Sequence, residues 1–271
     1  MRCVATRWPT TTHTPTAEVA SLAAPVDEAP LEILYRDDTL VAIHKPAGLL
    51  VHRTALDRHE TRFAVQLLRD QIGQHVWPAH RLDRGTSGVL VFALDADTAG
   101  RIGRQFEAQT VAKRYVAVVR GHPPEAGLID HPLSKQRDDR EWVDPRAQSA
   151  PQAARSAYRR LATIELPIAV APYPSSRYAL LEVEPETGRK HQIRRHLKHI
   201  AHPIIGDATY GKGPHNRMFA EHFGSQRLLL ASTDLWLDHP HSGERLHLHA
   251  APADDFMALM AQLGWTASLQ K

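Results

Sequence analysis

The sequence predicts an α+β domain built around a mixed, mostly antiparallel β-sheet with flanking helices. Two observations carry the prediction. From Leu31 onward, short runs rich in leucine and β-branched residues recur between clusters of turn residues. Between them lie stretches whose apolar residues repeat at helical spacing. With 271 residues and 42% apolar content, the chain has enough material for one large buried core or two small ones.

The elements follow in order. Residues 1–30, with TTTHTPT and prolines at 9, 15, 25 and 30, lack periodic apolar positions and are read as a flexible tail. LEILY, the polar turn RDD and TLVAIH form a hairpin ending against Lys45 and Pro46. Phe63, Leu67, Leu68 and Ile72 share a helical face, with Thr61 as the expected N-cap and Gly73 near the end. GVLVFAL (88–94) reads as a buried strand, and DTAGRIGRQFEAQ (97–109) as a helix opened by Asp97. KRYVAVVRG (113–121) is a strand, and residues 134–157, dense in Arg, Asp, Gln and Ala, are expected to form an exposed insertion. RYALLEVEP (177–185) is another strand. Thr187 and Gly188 then lead into a helix with Ile193, Leu197 and Ile200 on one face, Arg194, Arg195 and Lys198 off it, and Pro203 as its stop. RLLLASTDLWL and RLHLHA are further strands, and Phe256, Met260 and Leu263 mark a last helix ending at Gly264.

Composition restricts the classes of function. Thirty-three Lys and Arg against 30 Asp and Glu give a net charge of +3, which permits a nucleic-acid partner without requiring one. Cys3 is the only cysteine, so neither a disulfide framework nor a thiolate metal site can be built, and a reducing, cytoplasmic setting is expected. No apolar run approaches a membrane span, and the first residues lack the apolar core of a secretory signal.

The densest chemical cluster is HRLDRGTSG (80–88), which places Asp83 between Arg81 and Arg84 in a loop leading into a buried strand. By residue type alone, such an aspartate reads more readily as a salt-bridged loop residue than as a nucleophile. The nine-residue segment, however, resembles the signature loop of the RluA family of pseudouridine synthases. HKPAGLLVH (44–52), KRY (113–115), LEVEPETGRKHQIR (181–194) and HPIIGDATYG (202–211) resemble further motifs of that family in the same order. The resemblance spans residues 31 to 265. It implies the pseudouridine synthase fold with a central cleft, a catalytic domain over 31–271, and isomerisation of uridine to pseudouridine in RNA.

Carried over position by position, the resemblance implies that Asp83 is the catalytic nucleophile, that Tyr115 stacks on the uracil, and that Arg194 pairs with the aspartate. Arg81 would help displace the target nucleotide. Lys45 would support the active-site loop, and Arg114, Arg189, Lys190 and Ile193 complete the expected substrate-binding set. These residue types suit the reaction: moving uracil from an N1 to a C5 glycosidic bond needs an ionised oxygen near the base, and a guanidinium beside it favours that form. No cofactor and no metal are expected. PYPSSRY (172–178), ETGRKHQIRRHL and EHFGSQRL (221–228) resemble the members that act on tRNA, implying uridine 65 in the T stem as target, no obligate protein partner, and a monomer.

Other motifs fail on their details. GDATYGKG (206–213) lacks the Ser or Thr that a phosphate loop uses for magnesium, and GTSG around Ser87 is not a nucleophile elbow. His191, His196, His199 and His202 fall on different helical faces, and His247 and His249 share a strand face without a nearby cysteine, so zinc is not expected. Ala231 stands where family members typically carry histidine. Two rivals remain at this stage: a relative acting on ribosomal RNA, and a catalytically silent RNA-binding or chaperone protein.

Overall fold

A computed structural model describes residues 29–53, 61–136 and 150–269. Most of the segment read as a tail, and the centre of the expected insertion (137–149), lie outside the described residues. The first hairpin forms as expected from β1 (Glu32–Arg36) and β2 (Leu40–Lys45). Its turn is held by the Asp37 carboxylate, which accepts the backbone N–H groups of Thr39 and Leu40 at 2.7 and 2.8 Å.

Helix α1 (Ala64–Ile72) has Phe63, not Thr61, at its N-cap, with no side-chain cap. The preceding loop does the capping instead: the Ala64 and Val65 amides donate to the Leu50 and Val51 carbonyls. After the short β3 (Trp77–Pro78), β4 (Ser87–Ala93) is buried at all seven positions. Helix α2 (Ala96–Glu107) is capped by Asp95 rather than Asp97, its carboxylate accepting the Thr98 amide at 2.8 Å. Asp97 instead pairs with Arg101 one turn on.

Strands β5 (Ala112–Arg120), β6 (Ala126–Asp130), β7 (Arg155–Leu166) and β8 (Ser176–Pro185) form a continuous antiparallel block. Its β7 overturns part of the expected exposed insertion, because Ala154 and Ser156 are fully buried. They are covered by α3 (Gln192–His199), whose Gln192 and His196 bond the Ser156 hydroxyl at 3.0 Å each. Next come α4 (Gly213–Phe223), β9 (Leu230–Asp238), β10 (Arg245–His249) and α5 (Asp254–Gln262). Helix α4 has Pro in its first turn and a left-handed Gly224 at its end.

The sheet runs β1-β2-β4-β9-β5-β8-β7-β6, with β10 on β9 and β3 on β4. One junction is parallel: β4 meets β9 only through Ser87–Ala231 and Gly88–Ser232. This narrow seam joins two half-sheets, each with a core of its own on one face and a third core shared across the seam. Val41, Ile43, Leu90 and Phe92 pack on α1, whereas Val118, Leu180, Leu197, Phe219 and Phe256 fill the larger core; the Tyr115 ring touches both. Residues of α2 cover the reverse face of β4 together with Leu235 and Leu237 of β9.

Gly88 makes the seam possible. Its φ is +112°, and a Cβ there would lie 1.9 Å from the Ser232 carbonyl oxygen. Gly88→Ala should therefore cost at least about 3 kcal/mol of stability, combining backbone strain with a backbone clash. A urea unfolding midpoint equal to that of the parent would show that the seam can be repacked without glycine.

Candidate active site

Asp83 stands in the loop between β3 and β4. Leu82 anchors the loop in the smaller core, and the Thr86 amide closes a turn onto the Asp83 carbonyl at 3.1 Å. Beyond it, buried Ser87 accepts from Arg227 at 2.6 Å. The loop is also tied to residues 46–49: the Gly48 amide donates to the Arg84 carbonyl at 2.8 Å, and Arg84 Nε donates back to the Gly48 carbonyl at 3.1 Å.

Lys45 lies beneath this junction, fully buried, and donates to the carbonyls of Pro46, Leu49 and Arg84 at 2.9, 2.8 and 3.2 Å. Burial pushes its ammonium down to about 7 against the opposing charge of Asp83. Three acceptors match the three protons that only the ammonium carries. Its geometry is that of a loop support, with all three ammonium protons directed at backbone carbonyls.

Arg194 sits off the apolar stripe of α3 yet is buried, because two carboxylates receive it. Nε and Nη2 donate to Asp207 Oδ2 and Oδ1, both at 2.8 Å, while Nη1 donates to Asp83 Oδ2 at 2.9 Å. Burial alone would lower the guanidinium pKa, but the bonds and charges of Asp207 and Asp83 hold it above its ordinary value. Asp207 is fully buried, which favours its neutral form; the Arg194 bonds and the Thr209 and Tyr210 amides prevail and keep its pKa low. Its position depends on Gly206, whose left-handed φ of +78° brings the backbone against the Arg227 carbonyl, where a Cβ would lie 1.7 Å away.

Around these charges lies a cavity of about 360 Å³. Arg81, Asp83, Tyr115, Arg189, Lys190, Ile193 and Arg194 all line it, so most of the expected site converges. Burial, with the nearby Asp83 charge, pushes the Tyr115 phenol up to about 12. Arg114 is the exception. Strand alternation turns Lys113 and Tyr115 into the cleft and Arg114 to the reverse face, where it binds Glu182 and Glu184 and covers Trp236.

Sequence reasoning missed Lys113, Asp207, His191 and Tyr210 as site residues. Lys113, with its pKa lowered by burial to about 8, follows from the period of two in the same KRY motif. Asp207 and Tyr210 lay within HPIIGDATYG, which was matched to the family and weighed as a phosphate loop without a role for either residue. His191 was weighed as a zinc ligand and as an RNA-facing or structural histidine, not as a neighbour of Asp83. It occupies the left-handed N-cap of α3, with Nδ1 3.0 Å from the Tyr210 hydroxyl and Nε2 3.8 Å from Asp83 Oδ1. The Tyr210 hydroxyl accepts from Gln136 at 2.7 Å. Donation of its own proton to His191 Nδ1 then leaves Nε2–H facing Asp83. Burial lowers the His191 pKa, with the Asp83 charge opposing.

The remaining histidines of 191–202 have separate surroundings. His196 meets Ser156 and the His131 carbonyl, His199 stacks on His131 at 3.7 Å, and His202 meets the Arg120 carbonyl. Ala231 is buried in the seam.

Fold and site together define an RNA-modifying isomerase: residues 39–199 match the RNA pseudouridylate synthase family, and the chain belongs to that family, the RluA type that its motifs resemble. The chain is 49% identical over 239 residues to tRNA pseudouridine synthase C of Vibrio cholerae, a match covering 88% of this chain and 98% of the relative. It is 49% identical over 236 residues to tRNA pseudouridine synthase C of Yersinia pestis, covering 87% and 92%. Among solved structures, human RNA Pseudouridylate Synthase Domain Containing 4 superposes with a TM-score of 0.64 at 28% identity, covering 86% of this chain and 93% of that one. Human RNA Pseudouridylate Synthase Domain Containing 1 shares the fold, with a TM-score of 0.64 at 23% identity over 85% and 86% of the two chains.

Two predictions follow from this geometry. Asp207→Asn keeps the shape but leaves Arg194 with Asp83 as its one carboxylate, which should cost about 3 kcal/mol in urea unfolding; a cost below about 0.5 kcal/mol would show that Asp207 carries none of the burial of Arg194. His80 accepts the Val91 amide on Nε2 at 3.1 Å, and burial, then the Lys113 charge, lowers its pKa to about 3. The unfolded chain binds this proton near pH 6.5 and the folded chain does not, so stability is complete above that pH and declines as pH falls towards 3. The decline should have a slope of up to about 1.4 kcal/mol per pH unit from this group, and His80→Gln should flatten it. Identical slopes in the two proteins would exclude His80 as a source.

Proposed function

We propose that this protein converts uridine to pseudouridine in tRNA, at uridine 65 of the T stem, with Asp83 as nucleophile. The observation that carries the proposal is the Asp83 carboxylate fixed 2.9 Å from a buried arginine at the mouth of a cleft that Tyr115 also lines. The tRNA target is supported by the two bacterial relatives, whose names specify tRNA and whose similarity extends through most of both chains.

The reaction exchanges one bond for another. The uracil N1–C1′ bond breaks, a C5–C1′ bond forms, C5 gives up a proton and N1 ends with one, so no electron donor or acceptor is required. Asp83 supplies the anionic oxygen that acts on the nucleoside, and Arg194 holds that oxygen in place. Tyr115 offers its ring to the extruded base and its hydroxyl to the proton transfer. With a phenol pushed to about 12, it works as a neutral hydroxyl at physiological pH. An A-form stem hides its base edges in a narrow groove, so recognition relies on phosphates and 2′-hydroxyls before the base is extruded. Arg189 and Lys190 on the cleft wall suit that grip, and Arg81 suits the space vacated by the base. The enzyme works as a monomer in the cytoplasm, where its substrate is.

The test offers purified protein a tRNA transcript, the same tRNA with its T stem unpaired, and ribosomal RNA fragments, and maps pseudouridine in each. The expected result is modification of folded tRNA alone, abolished in Asp83→Asn and slowed at least about 100-fold in Tyr115→Phe with RNA binding kept. Turnover by Asp83→Asn would overturn the nucleophile, and modification of ribosomal RNA in preference to tRNA would overturn the substrate.

A further inference from the structure

On the reverse face of the sheet, three side chains converge that the pseudouridine reaction does not use. His247 and His249 alternate on β10 and so share one face. In the antiparallel register His249 lies opposite Asp234 and His247 opposite Trp236. His247 Nε2 and His249 Nδ1 stand 2.8 and 2.9 Å from the same oxygen, Asp234 Oδ1. Among the described residues, no other three His, Cys, Asp or Glu side chains bring ligand atoms within 4.8 Å of one another.

We propose that Asp234, His247 and His249 form a binding site for one borderline divalent transition cation of the zinc class. Two imidazoles and one carboxylate, on one face and from adjacent strands, are the donor set such ions prefer. Zinc bonds of about 2.1 Å in tetrahedral geometry separate neighbouring ligand atoms by about 3.4 Å, so each nitrogen–oxygen contact needs to open by about half an ångström. The surroundings fix the ligands from behind. Trp236 stacks parallel to His247, with ring centres 4.6 Å apart and 5° between planes, and the Asp234 side chain is only 9% exposed. Arg114, the register partner of Asp234, covers Trp236 and is paired with Glu182 and Glu184, which offsets its charge. The two imidazoles are about half exposed, so an ion can enter and keep water in its remaining positions.

The ion's place in the fold defines what it does. Asp234 pairs with Arg114 across the β5–β9 ladder, on the side opposite the cleft. A bound ion is therefore remote from the uridine and joins β10 to β9, the strand that also borders the seam. It stabilises the folded chain in proportion to occupancy and takes no part in the chemistry.

The experiment uses full-length protein without a histidine tag, stripped of metal. Zinc titration followed by calorimetry should give one site per chain with micromolar affinity, and saturating zinc should raise the Tm by several degrees. Cobalt(II) should give a visible d–d band at the same stoichiometry. His247→Ala/His249→Ala should weaken zinc at least tenfold and abolish both the Tm shift and the band, while metal-free pseudouridine formation stays at the parent rate. His249→Gln, which keeps a side-chain donor towards Asp234, provides the same comparison if the double variant folds poorly. Failure of the parent to bind zinc at millimolar concentration would overturn the proposal, as would undiminished binding by the histidine variants.

Discussion

The structure depends on one buried guanidinium shared by two carboxylates. Arg194 is bidentate to Asp207 and single-handed to Asp83, and these roles are not equivalent. Asp207 is sealed, satisfied by Arg194 and by two backbone amides, and acts as the fixed end. Asp83 is partly open, so one of its oxygens is held while the carboxylate faces the cleft. A buried ion pair is a poor source of stability compared with apolar packing. Its presence here is better understood as positioning, since a planar fork anchored on one side has little freedom in where it presents its remaining N–H.

Around that pair, four pieces of chain are brought into one frame. The Asp83 loop is bound to the 46–49 loop by reciprocal backbone and side-chain bonds, with the Lys45 ammonium beneath both. Helix α3 carries Arg194, and the turn after Gly206 carries Asp207. Each piece is tied to its neighbours by bonds within the folded chain, which restricts where the Asp83 carboxylate can lie.

Much of this was legible in the sequence, and what was not has identifiable physical causes. Strands such as 88–94 are continuous apolar runs, and their burial on both faces followed directly. Asp83, Tyr115 and Arg194 were legible through motif resemblance rather than composition, because an aspartate between arginines has too many ordinary explanations. Arg194 was placed on the polar side of α3, since periodicity cannot reveal that a carboxylate from residue 207 waits there. Thr61 and Asp97 were plausible caps that lost to a loop carbonyl pair and to Asp95, a choice set by tertiary contacts and by a two-residue shift. Strand β7 was hidden by the polar texture of 150–160, where arginines alternate with buried small residues. Arg114 was misassigned although the period of two in its own strand already pointed it away from Tyr115.

The parallel seam between β4 and β9 has a consequence for how sequence change is tolerated. Each half-sheet packs a core of its own on one face, and the halves are joined by two backbone pairs, by the ring of Tyr115 and by a third cluster in which Val89 and Val91 of β4 meet Leu235 and Leu237 of β9. Substitutions packed beneath α1 and substitutions packed beneath α4 and α5 fall in separate clusters that have the Tyr115 ring in common, so their energetic effects are expected to be close to additive. Non-additivity is concentrated at Tyr115, Gly88 and Ser232. The alignment of Asp83 with Tyr115 rests on that same short seam, because Ser87 and Gly88 follow the Asp83 loop and Ser232 is the register partner of both Gly88 and Tyr115.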